Sequence, residues 1–125
     1  MTQSAGLHEP EERLSASTLD RHRALVSIQE ELEAVDWYDQ RVEASTDAEL
    51  GAVMAHNRDE EKEHAAMLIE WLRRHDPTLD AHLRTYLFTT GPIAELEVEV
   101  MLAEDATGPS ATGCLGIGAI RDEGR

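Results

Sequence analysis

The sequence predicts an all-α protein in which two long helices form an antiparallel hairpin, followed by a short third helix. Two observations support this fold class. The stretch Thr18–Ala44 has 27 residues without Gly or Pro, and strong helix formers dominate it. A second helical stretch extends from Thr46 to about His75, and the turn between the two is so short that the helices must be antiparallel.

Local signals set the ends of these helices. Thr46 and Glu49 match a capping box, so we expect the second helix to begin there. Pro77 disfavours helical backbone at Asp76, which ends that helix. A weaker helical pattern in residues 78–88 predicts the short third helix.

The rest of the chain has a looser organisation. Residues 1–16 are expected to be a flexible N-terminal lead-in, and residues 17–90 the helical domain. Residues 91–113 are interpreted as an acidic, flexible linker and residues 114–125 as a C-terminal tail. Acidic and apolar residues alternate within Ile93–Ala103 as in a strand, but its composition favours a helix; strand, helix and disorder all stay open there.

Composition limits the possible classes of function. Aromatic residues make up 4% and charged residues 30% of the 125, so we expect a small core and oligomerisation. The formal net charge of −15 argues against nucleic acid or anionic lipid as a partner, and suits either cation collection or plain solubility. Cys114 is alone, the N-terminus does not resemble a signal peptide, and no apolar run could span a bilayer, which together predict a cytoplasmic protein.

Each long helix carries a heptad stripe of the kind that faces a bundle core. Both stripes are apolar at their ends and polar in the middle, where Glu31 lies on the first and Glu61 and His64 on the second. The stripes are Ala24, Ile28, Glu31, Val35, Tyr38 and Val42, and Leu50, Met54, Asn57, Glu61, His64, Leu68 and Trp71.

Polar residues at the centre of a bundle stripe need a compensating partner. A buried, unpaired carboxylate loses several kcal/mol of hydration, and neither stripe offers a Lys or Arg between its ends. Glu31 alone would favour a solvent-exposed face. Three ligand-type residues at matching depth favour a metal site.

The spacing of Glu61 and His64, taken together with Glu31 on the facing stripe, indicates the kind of site. Residues at i and i+3 share a helix face, so both side chains can bind one ion. Di-iron bundles use one Glu from each of two helices and Glu-x-x-His from each of the other two. This chain has half of those ligands and half of those helices, so a two-fold dimer would supply both sets around two ions, with Fe, Mn and Zn all suitable.

Four segments of the chain resemble the encapsulated ferritins, and the resemblance covers roughly residues 8–92. The segments are Glu30–Arg41, His56–Met67, Trp71–Arg74 and His82–Phe88. The resemblance implies a ferroxidase that oxidises Fe(II) with dioxygen at a di-iron centre shared between two chains. It also implies a ring of dimers, usually a homodecamer, loaded inside an encapsulin nanocompartment that stores the iron.

The resemblance also assigns roles to individual residues. It makes Glu31, Glu61 and His64 of each chain the iron ligands. Trp37 and Tyr38 would line the centre, although they otherwise look like ordinary interface aromatics. Glu30 and Glu33 would form an outer metal site, although by themselves they would be interpreted as a solvated face.

The C-terminal tail resembles an encapsulin-targeting address. The segment Cys114–Arg121 consists mostly of Gly and aliphatic residues after a flexible linker, with Ala119-Ile120 where the family more often has Ser-Leu. Such a segment would bind extended, with its aliphatic side chains in pockets of the shell wall. A frayed chain end is the alternative.

Two other functions stay open at this point. One is a peroxide-consuming di-iron protein of the rubrerythrin type, which would turn over faster with peroxide than with dioxygen. The other is a structural dimer held together by a redox-inert metal, which would dissociate with a chelator.

Overall fold

The structure is a computed structural model that describes residues 6–97. It contains α1 (Ala16–Ala44), α2 (Ala48–His75) and α3 (Pro77–Tyr86), with short 3-10 helices at Glu11–Arg13 and Ile93–Glu95. No strand occurs between residues 6 and 97, so the all-α prediction is confirmed. The predicted targeting tail and most of the predicted linker lie outside the described residues.

The first helix begins slightly earlier than the sequence pattern indicated. The Ser15 hydroxyl accepts a hydrogen bond from the Thr18 backbone N–H at 3.1 Å, which caps the N-terminus of α1. The helix ends where predicted, and the Ser45 N–H donates to the Arg41 carbonyl. Helix α1 has 29 residues, so residues in its middle lie far from both ends of the hairpin.

The predicted cap of α2 is wrong by one residue. Asp47, and not Thr46, provides it, because the Asp47 carboxylate accepts a hydrogen bond from the Leu50 N–H at 2.9 Å. Thr and Asp are both common N-cap residues, and the backbone of the turn brings the Asp47 carboxylate to the free N–H groups in the first turn of α2. The end of α2 at His75 agrees with the prediction from Asp76-Pro77.

The helices α1 and α2 pack against each other as an antiparallel hairpin with a thin core. Among the described residues only Ala24, Ala65 and Leu72 are buried apolar side chains. The stripe residues of both helices are buried or half-buried, apart from Leu50 and His64. The hairpin therefore leaves much apolar surface exposed, as the composition predicted.

The third helix belongs to a second compact unit that begins at Asp76. The Asp76 carboxylate caps α3 by accepting from the Leu79 N–H at 3.0 Å, and Pro77 occupies its first turn. The helix ends at Tyr86, two residues before the predicted limit, because Leu87 has an extended backbone (φ −77°, ψ 147°) and Phe88 follows with a φ of +61°. None of the described helices is both long and apolar enough to cross a membrane.

Candidate metal centre

Three side chains from the middle of the hairpin converge on one point. The Nδ1 atom of His64 lies 3.5 Å from the Glu31 Oε1 and 3.4 Å from the Glu61 Oε1. One ligand atom from each residue lies within 4.8 Å of the others. In residues 6–97 this is the cluster of His, Cys, Asp and Glu that could hold a metal ion. The heptad stripes predicted this convergence, and the role of the three residues as metal ligands stays a prediction.

The Glu31–Glu61–His64 cluster is open to solvent on one side. The two glutamate side chains keep about a quarter of their exposure (24% and 25%), whereas that of His64 keeps 46%. The carboxylates thus lie towards the contact between the helices, and the imidazole lies at its edge. An ion can reach the cluster without any movement of the helices.

The three groups perturb one another electrostatically. The hydrogen bond with Glu61, together with burial, raises the pKa of Glu31, and the same hydrogen bond lowers the pKa of Glu61. Burial opposes the charge on His64, but the hydrogen bond with Glu61 and the charges of both carboxylates outweigh it and raise the pKa of the imidazole. A cation bound to the cluster would compete with protons for the same groups.

The geometry and the donor atoms fit a first-row metal ion. Two ligands bound tetrahedrally at about 2.1 Å are about 3.4 Å apart, close to the two nitrogen–oxygen distances in the cluster. Carboxylate oxygen and imidazole nitrogen suit Fe, Mn and Zn. Three protein ligands leave at least one coordination position for another group.

A protein-family model described as EncFtn-like matches residues 6–90. The chain belongs to the EncFtn-like family. The resemblance to encapsulated ferritins that the sequence carries is thereby confirmed.

Individual relatives agree with the family assignment. The "encapsulated ferritin-like protein" of Rhodospirillum rubrum is 57% identical to this EncFtn-like chain over 131 residues, covering 98% of this chain and 94% of the relative. The "encapsulin nanocompartment cargo protein EncC" of Myxococcus xanthus is 36% identical over 59 residues, covering 47% of this chain and 45% of its own length. The crystal structure of protein ne0167 from Nitrosomonas europaea has 63% sequence identity and a TM-score of 0.69, and it covers 71% of this chain and 98% of that one.

The aromatic pair assigned by resemblance lies farther along α1 in this EncFtn-like chain. Tyr38 is two turns beyond Glu31, an axial rise of about 10 Å, and it is half-buried. Trp37 keeps 48% of its exposure. The guanidinium of Arg41 lies 6.0 Å from the Trp37 ring and 5.6 Å from the Tyr38 ring. This cation–π contact was not predicted, although the i+3 and i+4 spacing could have indicated it.

The two remaining acidic candidates, Glu30 and Glu33, are exposed on α1. Neither joins the cluster that the structure forms around Glu31. Their role as an outer metal site therefore stays a prediction.

Sequence reasoning missed one ion pair that joins the two helices of the hairpin. The Arg58 Nη1 atom lies 2.9 Å from the Asp39 Oδ1, and its Nε atom lies 3.1 Å from the Asp59 Oδ1. These carboxylates raise the pKa of Arg58, with Asp59 contributing most, and Arg58 in turn lowers the pKa of Asp59. The heptad pattern gave no signal for this contact because Arg58 lies beside the stripe.

Proposed function

We propose that this EncFtn-like protein is a ferroxidase whose di-iron centre is completed by a second copy of the chain. The observation that carries the proposal is the half-set of ligands on an open hairpin. One chain brings Glu31, Glu61 and His64 together, and a two-fold partner would add the same three. Four carboxylates would balance the charge of two ferrous ions.

Exposed apolar side chains on the face of α2 that carries the imidazole support this pairing. On α2, Val53, His64 and Met67 share one face, because their spacings of 11 and 3 residues are close to whole turns. Val53 keeps 51% and Met67 keeps 63% of its exposure. A second hairpin packed on this face would bury both side chains and bring its own ligands to the cluster.

The side chains of the centre would bind and position iron as the substrate. Each Fe(II) loses one electron, and dioxygen is the electron acceptor. Glu31 and Glu61 supply the negative charge that favours the ferric product, and His64 completes the ligand set as a neutral imidazole. Because Glu31 and His64 bind iron in their deprotonated forms, the cation would compete with protons for both groups.

The neighbouring residues have supporting roles in this proposal. Trp37 and Tyr38 would line the completed centre, and Glu30 and Glu33 would attract ferrous ions along the exposed side of α1. The large negative charge of the chain would favour the same approach of cations.

The proposed location is the interior of an encapsulin shell. Two relatives are described as encapsulated or as encapsulin cargo, and the segment Cys114–Arg121 has the composition of a targeting address. The hairpin encloses no cavity for a mineral, so storage would depend on the container. A ring of dimers, with ten chains, is the proposed assembly.

The proposal is tested by anaerobic addition of ferrous iron followed by air. Absorbance follows oxidation, and native mass spectrometry counts iron and chains. We expect rapid oxidation with two irons for each pair of chains. Glu31→Ala and His64→Ala should abolish it, whereas Glu43→Ala, which removes an exposed carboxylate from the same helix, should leave it unchanged.

Other outcomes would replace the proposal. An unchanged rate in Glu31→Ala would refute the site, and iron binding without oxidation would indicate a structural metal. Faster turnover with peroxide than with dioxygen would indicate a peroxide-consuming protein. A complete site in an isolated chain would refute the shared centre.

A further inference from the structure

The half of the hairpin nearest its turn is the more loosely packed half. The three buried apolar side chains in the described residues, Ala24, Ala65 and Leu72, all lie on the other side of the metal cluster or beside it. Between the cluster and the turn, apolar stripe residues such as Val35 and Met54 are only half-buried. A directed polar contact between the helices therefore adds to the packing that sets the axial position of α1 against α2 in this region.

The Arg58–Asp39 ion pair lies in this weakly packed region. Arg58 keeps only 21% of its side-chain exposure, compared with 65% for Asp39 and 61% for Asp59. The Nε atom of its planar guanidinium donates a hydrogen bond to Asp59 on its own helix, and the Nη1 atom donates one to Asp39 on α1. Because Asp59 orients the guanidinium, Arg58 presents a directed donor to Asp39.

The position of this pair relates it to the metal ligands. Arg58 lies one turn before Glu61 on α2, and Asp39 lies about two turns after Glu31 on α1. A shift of α1 by one residue is about 1.5 Å, which would break the 2.9 Å contact and move Glu31 away from Glu61 and His64 by the same amount. The ion pair and the ligand cluster therefore require the same register.

We infer that Arg58 is a positioning residue for the metal centre, and that its bond to Asp39 holds Glu31 at the correct height opposite Glu61 and His64. This inference rests on the proposed metal centre. Arg58 itself does not bind the ion. Its contribution is to make the ligand set pre-formed, so that the ion does not have to order the helices when it binds.

The test uses the full chain, with Zn²⁺ as a redox-inert probe. Arg58→Met, Asp39→Asn and the double variant are compared in a competition titration against a chromophoric chelator. The matched control is Lys62→Met, which removes one positive charge from a side chain that contacts Asp59 on α2 at 3.5 Å. Circular dichroism checks helicity, and the Co²⁺ absorption spectrum reports the ligand geometry.

We expect each single variant to weaken Zn²⁺ binding about tenfold, and the double variant to be no weaker than either. The Co²⁺ spectrum should change in the same variants, at unchanged helicity. Lys62→Met should match the wild type. Asp39 is exposed, so Asp39→Asn keeps the test valid if Arg58→Met does not fold.

Two results would overturn the inference. One is an affinity of Arg58→Met equal to that of Lys62→Met, and the other is additive losses in the double variant, because residues that act through one bond are not additive. Failure of the metal centre itself has a different signature. The wild type would then bind no Zn²⁺, or His64→Ala would bind it as tightly as the wild type.

Discussion

Metal affinity should depend on pH in a way that the cluster geometry specifies. Burial lowers the pKa of His64, but the hydrogen bond with Glu61 and the charges of Glu31 and Glu61 outweigh it and raise that pKa above its usual value of 6.5. The protonated imidazole cannot bind a metal, so binding releases one proton per chain wherever His64 is charged. Affinity for Zn²⁺ should therefore be constant well above that pKa and fall about tenfold per pH unit below it.

A second proton steepens the dependence at lower pH. The hydrogen bond with Glu61 and burial raise the pKa of Glu31, so this carboxyl is protonated at a higher pH than an exposed glutamate. Once the pH falls through that pKa, each bound ion must displace two protons, and affinity should fall about a hundredfold per pH unit. The curve of log affinity against pH should thus have two successive slopes.

The assay is isothermal titration calorimetry with Zn²⁺, repeated in buffers of different ionisation enthalpy to count the released protons. His64→Gln keeps a polar side chain of similar size that does not ionise. In this variant we expect weaker Zn²⁺ binding at high pH, and we expect the slope that the titration of His64 gives to be absent. A flat profile in the wild type, or an unchanged first slope in His64→Gln, would refute the assignment of His64 as a ligand.

Three further predictions concern the scaffold. Leu72→Ala should lower the free energy of unfolding by about 2–5 kcal/mol in urea denaturation, because Leu72 is 4% exposed and its truncation leaves a cavity. Because Asp47 caps α2, Asp47→Ala should lower the free energy of unfolding by about 1 kcal/mol in the same assay, whereas Thr46→Ala should leave it unchanged. Equal losses in the two variants would contradict the observed cap. The hydrogen bonds of Arg73, and then of Arg74, lower the pKa of Glu70 from 4.5 to about 2. The stabilisation of the folded chain by these ion pairs is therefore fully present above pH 4.5, and it is lost as the pH falls to about 2. Thermal melts of Glu70→Gln should therefore differ from the wild type at neutral pH and converge in strong acid; a constant difference would contradict the ion pairs.

The convergence of Glu31, Glu61 and His64 could be predicted from the sequence because helices are periodic. A short turn fixes the direction of the second helix, and the heptad spacing then places Glu31 opposite Glu61 and His64. Little depends on side-chain conformation, since all three project from the inner stripes. The same arithmetic explains why the half-buried stripes were predicted correctly.

Other features depend on details that spacing does not determine. Thr46 and Asp47 are both good caps, and the backbone of the turn selects between them. The contact of Arg58 with Asp39 requires a long side chain to reach across the helices, and the register of the hairpin decides which carboxylate it meets. The end of α3 depends on the extended backbone of Leu87 and the positive φ of Phe88, conformations that neither residue type indicates.

The thin core and the open three-residue cluster would have one physical consequence in common. A hairpin with three buried apolar side chains in its described residues would gain stability from a partner, and the proposed metal cluster would gain affinity from a partner's ligands. If the same partner surface supplies both, metal binding and association are thermodynamically linked. Each must then strengthen the other by the same factor. Zn²⁺ should lower the chain concentration needed for pairing, and dilution should weaken Zn²⁺ binding; a metal affinity independent of chain concentration across the pairing transition would separate the two processes.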